Sequence, residues 1–215
     1  CQARSAGMMW GFPWMRLAIA ATLALLAAKT IAAAGADDWP CVQRKVPEIS
    51  LAAVWTGPPL DEAALKWRAD PDVAGLVQRL AARRTSEEDA RKAIADLAAS
   101  SGGAKGSKLL ALIAGLAETI NAERGEVIAG LERFGSGQKQ LATALRDENA
   151  KLSAMRDDAQ ADPGKLIQLN EQLLWNLRIF DERQKSLRFV CEVPVLIEQR
   201  LFALSRTIQS ALQQP

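Results

Sequence analysis

The chain has 215 residues, of which 49% are apolar, so it is long enough to bury a core as one domain. It contains neither histidine nor tyrosine, which removes the commonest general base, the commonest transition-metal ligand and one common acid. After residue 36, 24 basic residues face 25 acidic ones, and the resulting net charge of −1 gives no field to hold nucleic acid. The composition therefore predicts a helical protein without catalytic machinery or a nucleic-acid site.

The first 36 residues have the layout of a secretory signal peptide. An apolar run at residues 17–28 precedes the small-residue sequence Ala34-Gly35-Ala36, which is typical of a cleavage site before Asp37. The run is shorter than the ~20 residues that a membrane-spanning helix needs, and Lys29 ends it, although an uncleaved anchor is the alternative. We predict a leader over residues 1–36, a periplasmic location and no membrane span after cleavage.

Two cysteines remain after such a cleavage, Cys41 and Cys191. In an oxidising compartment an isolated pair is typical of a structural disulfide, and closing a loop of about 150 residues lowers the entropy of the unfolded chain by roughly 4–5 kcal/mol. A reactive or metal-binding thiol is the alternative, but Cys41 has no second thiol nearby and the chain has no histidine for a zinc site. We expect a disulfide, no metal and no cofactor.

Residues 37–69 are rich in proline and tryptophan. Prolines at this density prevent a long helix, whereas the apolar side chains between them favour burial. We predict an arm that lies along a helical body, pinned by Cys41, with short helices at 50–55 and 60–67. Its tryptophans and one from the later sequence are predicted to anchor it in the core, or alternatively to line a ligand cleft or partner surface; they are Trp39, Trp55, Trp67 and Trp175.

Residues 70–101 predict a short helical hairpin. Asp70-Pro71 is typical of a cap followed by proline at the first helical position, and this helix is expected to end near Arg84. Thr85-x-x-Glu88 matches a capping box that opens a second helix. The two apolar faces are Val73, Leu76, Val77 and Leu80 in the first helix, and Ala90, Ile94 and Leu97 in the second.

A glycine-rich segment, residues 102–108, follows that hairpin. Its spacing differs from the phosphate-binding pattern G-x-x-x-x-G-K-[ST], and no strand is predicted before it. It is interpreted as a flexible linker in which Ser107 caps the next helix.

Residues 107–215 predict a long antiparallel, coiled-coil-like helical hairpin. Apolar residues recur at alternating spacings of four and three, and the phase continues through Gly135-Ser136-Gly137, which indicates one continuous helix. The short turn Asp162-Pro163-Gly164 then favours antiparallel pairing with a second helix. The first series is Leu109, Ile113, Leu116, Ile120, Glu123, Val127, Leu131, Phe134, Gln138, Leu141, Leu145, Glu148, Leu152 and Met155.

The apolar series of the second long helix is interrupted by a proline. Pro194 predicts a kink or break beside Cys191, and the arm is predicted to cross the hairpin there, in a gap left by Gly125 and Gly130. Polar members of both series are interpreted as controls of register, within the chain or between chains. The series is Leu166, Asn170, Leu173, Leu177, Phe180, Gln184, Leu187, Cys191, Pro194, Glu198, Leu201, Ser205, Ile208 and Leu212, with a parallel one through Ile197 and Leu204.

A dense group of charges lies on the second long helix. Arg178 with Glu182 and Asp181 with Lys185 have the spacing of ordinary ion pairs on a solvated helix. A di-iron bundle would need Glu-x-x-His, and histidine is absent. The group therefore predicts a solvated face rather than a carboxylate site.

Two segments carry a resemblance to a known class of proteins. DWPCVQRKVPEIS, which ends at Ser50, and IFDERQKSLRFVCEVPVLIEQRLFAL, residues 179–204, are similar to secreted helical proteins of proteobacteria that have no assigned function. The resemblance implies export and a helical fold, and it implies no active site.

The sequence thus favours a periplasmic, non-enzymatic interaction or scaffold protein. Its expected partner is another periplasmic or inner-membrane protein, and self-association is left open because polar seam residues serve either kind of pairing. A holdase-like chaperone and a small-ligand carrier are the alternatives.

Overall fold

Helices alone make up the regular structure of the part of the chain described here. A computed structural model describes residues 38–214, and over these residues the all-α class is confirmed. The predicted leader lies outside the described residues. In order the helices are α1 (Leu51–Val54), α2 (Glu62–Leu65), a 3₁₀ turn (Trp67–Ala69), α3 (Pro71–Ala81), α4 (Glu87–Ser100), a 3₁₀ turn (Gly102–Ala104), α5 (Lys105–Asp157) and α6 (Pro163–Gln213).

The two long helices form the predicted antiparallel hairpin. α5 has 53 residues and runs without interruption through Gly135-Ser136-Gly137, as the phase of its apolar residues indicated. Asp162 caps α6 by accepting hydrogen bonds from Gly164 N at 2.8 Å and Lys165 N at 3.4 Å, which reverses the chain within a few residues. Every member of the predicted α5 series is buried or half-buried. The predicted α6 series is wrong at Leu177, Gln184 and Glu198, which are exposed.

Two apolar clusters stabilise the molecule at opposite ends of the hairpin. The larger one joins α3, α4 and the nearer halves of α5 and α6 with Trp55 and Trp67. The smaller one contains Leu145, Leu152 and Leu173 and is formed by α5 and α6 alone. The far end of the hairpin is therefore only two helices thick, which leaves most of the surface of each helix facing solvent.

The short hairpin of α3 and α4 forms as predicted, with one correction at a cap. The predicted apolar faces are buried in both helices. The N-cap of α4 is Ser86 and not Thr85: Ser86 Oγ accepts from Asp89 N at 3.0 Å and donates to Asp89 Oδ2 at 2.7 Å. Thr85 instead donates to the carbonyl of Arg79, because the two hydroxyls are adjacent and only one is in position to cap.

The glycine-rich segment is not a flexible linker. It forms a 3₁₀ turn that leads straight into α5, and Gly102, at φ 51°, supplies the left-handed residue that ends α4. Because α5 already begins at Lys105, Ser107 lies inside the helix and donates to the carbonyl of Ala104. The prediction that Ser107 caps this helix is wrong.

Pro194 lies inside α6 without breaking it. The helix is continuous from Pro163 to Gln213, so the predicted break does not occur. A proline removes the helical donor to the carbonyl four residues earlier and disturbs the turn around it. In this turn the carbonyls of Cys191 and Pro194 accept hydrogen bonds from outside α6, from the side chains of Gln43 and Arg124.

Polar seam residues pair across the hairpin at its far end. Glu148 accepts from Asn176 Nδ2 at 2.8 and 3.0 Å, and Asn170 accepts from Arg156 at 3.1 Å. These bonds fix the register of α5 against α6 within one chain. Gln138 differs, because it is buried and its amide has no protein partner among the described residues.

The arm crosses the hairpin at Gly135. A Cβ atom there would lie 1.9 Å from the carbonyl oxygen of Asp38, so only glycine admits the arm backbone. At Gly125 a Cβ would meet nothing within 4 Å, and at Gly130 it would meet only the side chain of Arg133 at 3.8 Å. The predicted crossing at Gly125 and Gly130 is therefore wrong. The sequence does not specify the path of the arm before Cys41, and the prediction failed for that reason.

Replacing Gly135 with alanine is expected to lower the free energy of unfolding by roughly 2 kcal/mol or more, since backbone atoms of the arm must move. The matched change Gly125→Ala is expected to raise it by about 0.5–1 kcal/mol, through helix propensity alone. Urea unfolding of the two oxidised variants beside the parent measures both. Shifts of the same sign and size would contradict the crossing at Gly135.

Candidate interaction site

A disulfide joins the arm to α6 beside the proline turn. Cys41 is bonded to Cys191, with 5.6 Å between their Cα atoms, as the cysteine pattern predicted. Two further arm residues bind the hairpin on either side: Gln43 donates to the carbonyl of Cys191, and Lys45 forms an ion pair with Glu132 of α5. The arm is thereby attached to both long helices at once.

A buried arginine continues this attachment, and no pattern in the sequence indicated it. Arg124 of α5 is only 4% exposed, so its guanidinium requires partners. It donates to the carbonyl of Val46 at 3.0 Å and to that of Pro194, and it lies 3.8 Å from a carboxylate oxygen of Glu198. One side chain therefore links the arm, α5 and α6.

An asparagine holds the arm in the manner of a neighbouring strand. Asn121 Oδ1 accepts from Ile49 N at 2.9 Å, and its Nδ2 donates to Ile49 O at 3.1 Å. Both backbone groups of Ile49 are thus satisfied while its side chain enters the core. The arm is fixed through its backbone as well as through its disulfide.

The four candidate tryptophans divide into two groups. Trp55 and Trp67 are buried, and Trp67 packs on α5 where Gly115 leaves room for the ring. Trp39 is half-buried and donates to the carbonyl of Gln43 at 2.7 Å. Trp175 is 62% exposed and does not anchor the arm, which corrects that part of the prediction. Its position on α6 faces away from the core, so it remains available to a partner.

Exposed apolar side chains are concentrated on one helix. Of the eleven large apolar residues that are exposed in the described part of the chain, eight belong to α6. Scattered exposed apolar residues are ordinary, but a concentration on one element indicates an interaction surface. The eight are Ile167, Leu174, Trp175, Leu177, Phe189, Val195, Leu196 and Phe202.

Trp175 stands at the edge of a groove between the two long helices. The groove measures about 330 Å³, and its apolar wall is formed by Trp175, Ile179 and, across from them on α5, Phe134. The charged groups at its rim belong to Arg178, Glu182 and Arg183. An apolar floor with a charged rim is the usual anatomy of a protein-binding patch.

The charged face of α6 is solvated, as predicted, although its pairing differs. Lys185 pairs with Glu182 at 3.0 Å, three residues earlier, and the described residues form neither of the two predicted four-residue pairs. Within residues 38–214 no three metal-ligating side chains come together, and no helix there is both long and apolar enough to cross a bilayer.

Comparison with known proteins gives no match: no family model, no curated protein and no solved structure corresponds to this chain. The resemblance of its two segments to secreted proteobacterial proteins stays a prediction.

The contacts of Glu118 with Arg68 and Trp67 give the stability of the fold a measurable dependence on pH. Hydrogen bonds from Arg68, at 2.7 and 3.0 Å, and from the Trp67 indole, at 2.9 Å, lower the pKa of Glu118. A carboxylate with a lowered pKa in the folded state stabilises it above the ordinary pKa, and this contribution is lost as pH falls through the lowered value.

Glu118→Gln is therefore expected to destabilise the protein near neutral pH, and the difference from the parent is expected to shrink between about pH 5 and pH 3. Thermal unfolding of both proteins across this range measures the effect. Glu126→Gln, an exposed change on the same helix, is the control. A difference that stays constant with pH would contradict a role for the Glu118 carboxylate.

Proposed function

We propose that this chain is an exported, non-catalytic interaction module that presents the outward side of α6 to another periplasmic or inner-membrane protein. The observation that carries the proposal is the concentration of exposed apolar side chains on α6, with Trp175 at the edge of an apolar groove. Tryptophan is the residue most enriched at the energetic centres of protein interfaces.

The attached arm supports the same proposal. A disulfide, a buried arginine and an asparagine bind the arm to the hairpin, so α5 and α6 are held in one relative position over this half of their length. Rigid elements lower the entropy cost of binding, because little has to be ordered when a partner docks. A disulfide as the main attachment fits an oxidising compartment.

The two alternative functions have less support. A holdase needs apolar inner faces that are open to unfolded clients, but the inner faces of α5 and α6 pack against one another through Leu145, Leu152 and Leu173. A carrier of small ligands needs an enclosed apolar cavity. The groove between α4 and α6, about 350 Å³ in volume, instead has four charged side chains among its ten lining residues, those of Arg83, Glu87, Arg91 and Arg200.

Trp175→Ala is expected to lower the affinity for the physiological partner by about 30-fold or more, as loss of a central interface tryptophan does. The thermal stability of the chain is expected to change little, since this side chain is mostly exposed. Capture from a periplasmic extract with the parent, Trp175→Ala and Leu65→Ala as baits measures it, because Leu65 is 61% exposed but lies on α2.

The expected result is one stoichiometric partner, retained by the parent and by Leu65→Ala and lost by Trp175→Ala. Equal capture by all three baits would contradict the groove as the binding site. A broad set of unfolded proteins on every bait would favour the chaperone.

A further inference from the structure

α6 keeps one face turned inward along nearly its whole length. Residues at a spacing of seven, beginning with Leu166, are all buried or half-buried: Leu166, Leu173, Phe180, Leu187, Pro194, Leu201 and Ile208. Because this inner row never turns outward, the seven-residue phase holds along the helix. Any other set with the same spacing must then also form a straight line on the helix surface.

The residues that immediately follow the inner row form such a line on the outside. From residue 167 to residue 202 this outer row is exposed at every position, and its order along the helix is two apolar residues, an acid, a base and two apolar residues. Gln209, the next residue in phase, is half-buried, so the row ends at residue 202. It consists of Ile167, Leu174, Asp181, Arg188, Val195 and Phe202.

The outer row is complementary to itself when reversed. Its members lie in pairs at equal distances from a point between residues 184 and 185: Asp181 with Arg188, Leu174 with Val195, and Ile167 with Phe202. A second copy of α6 laid antiparallel about a two-fold axis at this point puts each acid against a base and each apolar residue against another. Such a match is what an isologous interface requires.

The adjacent row on the outer surface is centred half a residue away from this axis. Arg178 and Glu192 lie at equal distances from Lys185, an offset of about 0.75 Å along the helix, so their opposite charges still come close together in this arrangement. Lys185 itself lies next to the axis, where its charge is compensated within its own helix by Glu182 at 3.0 Å. In the described part of the chain Arg178, Asp181, Arg188 and Glu192 form no ion pair, so their charges are available between copies.

The arm adds an apolar contact at the side of this surface. Val42 is fully exposed next to Cys41, which is bonded to Cys191. Cys191 and the exposed Leu177 lie at equal distances from residue 184, half a residue from the axis, so Val42 of one copy comes near Leu177 of the other. From residue 167 to residue 202 the outer row is about 50 Å long.

We propose that two copies of this chain form an antiparallel dimer through the outer row of α6, with Asp181 of each copy opposite Arg188 of the other. Self-association through this row and its flanks uses five of the eight exposed apolar residues of α6, namely Ile167, Leu174, Leu177, Val195 and Phe202, and it shares Arg178 with the rim of the Trp175 groove. The inference goes beyond the proposed function because it names a second copy of the chain as the occupant of the row. The apolar pairs supply the attraction, and the charge pairs fix direction and register.

Sedimentation equilibrium of the oxidised chain tests the dimer, with charge reversals to locate it. The parent is expected to show twice the mass of one chain. Asp181→Arg places an arginine opposite Arg188, and Arg188→Asp places an aspartate opposite Asp181. Because of the two-fold symmetry, each substitution creates two repulsive charge pairs, and each is expected to weaken the dimer roughly a hundredfold. Combining both changes restores opposite charges and is expected to restore the dimer.

Rescue by the double reversal separates an interface role from a structural one, since a damaged fold would not be repaired by a second reversal. Asp147→Arg, the same change on an exposed position of α5, is the control and is expected to leave the dimer unchanged. A monomeric parent, a dimer that survives both single reversals, or a double reversal without rescue would each overturn the proposal. Binding only to a different protein through this row would also overturn it.

Discussion

The seven-residue phase shared by α5 and α6 is the constraint on which the remaining structure depends. This phase brings one face of each helix into contact along both apolar clusters. The side chains on the other faces are consequently exposed to solvent or to neighbouring elements. Because the far half of the hairpin has no third layer, the outward side of α6 stays uncovered there. The inner phase therefore determines the outer surface of this half, including the positions of Leu174 and Trp175.

The arm converts this pairing of helices into a single body. Its path is set by one glycine, Gly135, where the backbone of Asp38 passes, and by one buried arginine, Arg124, which binds carbonyls of the arm and of α6. The disulfide to Cys191 lies in the same turn as Pro194. A turn that a proline has weakened is thus supported from outside by the side chains of Gln43 and Arg124, while the covalent bond keeps the arm in place.

Much of the fold was predictable because it depends on local periodicity and caps. The extents of the long helices, the faces of α3 and α4 and the cysteine pair are all set by spacing along the chain. Features that the sequence did not specify depend on distances in three dimensions. The crossing at Gly135 depends on the path of the arm, the role of Arg124 on carbonyls far away in the chain, and the exposure of Trp175 on the absence of a third layer beside it.

The outward side of α6, and not that of α5, is the surface through which we propose that this protein associates. The most direct test is to place a photoreactive amino acid at position 174 or 175, or at position 147 of α5, and to irradiate cells that export the chain. We expect covalent adducts from positions 174 and 175, with dimers of the chain itself from position 174, and almost none from position 147. Adducts of equal yield from all three positions, or from position 147 alone, would contradict this assignment.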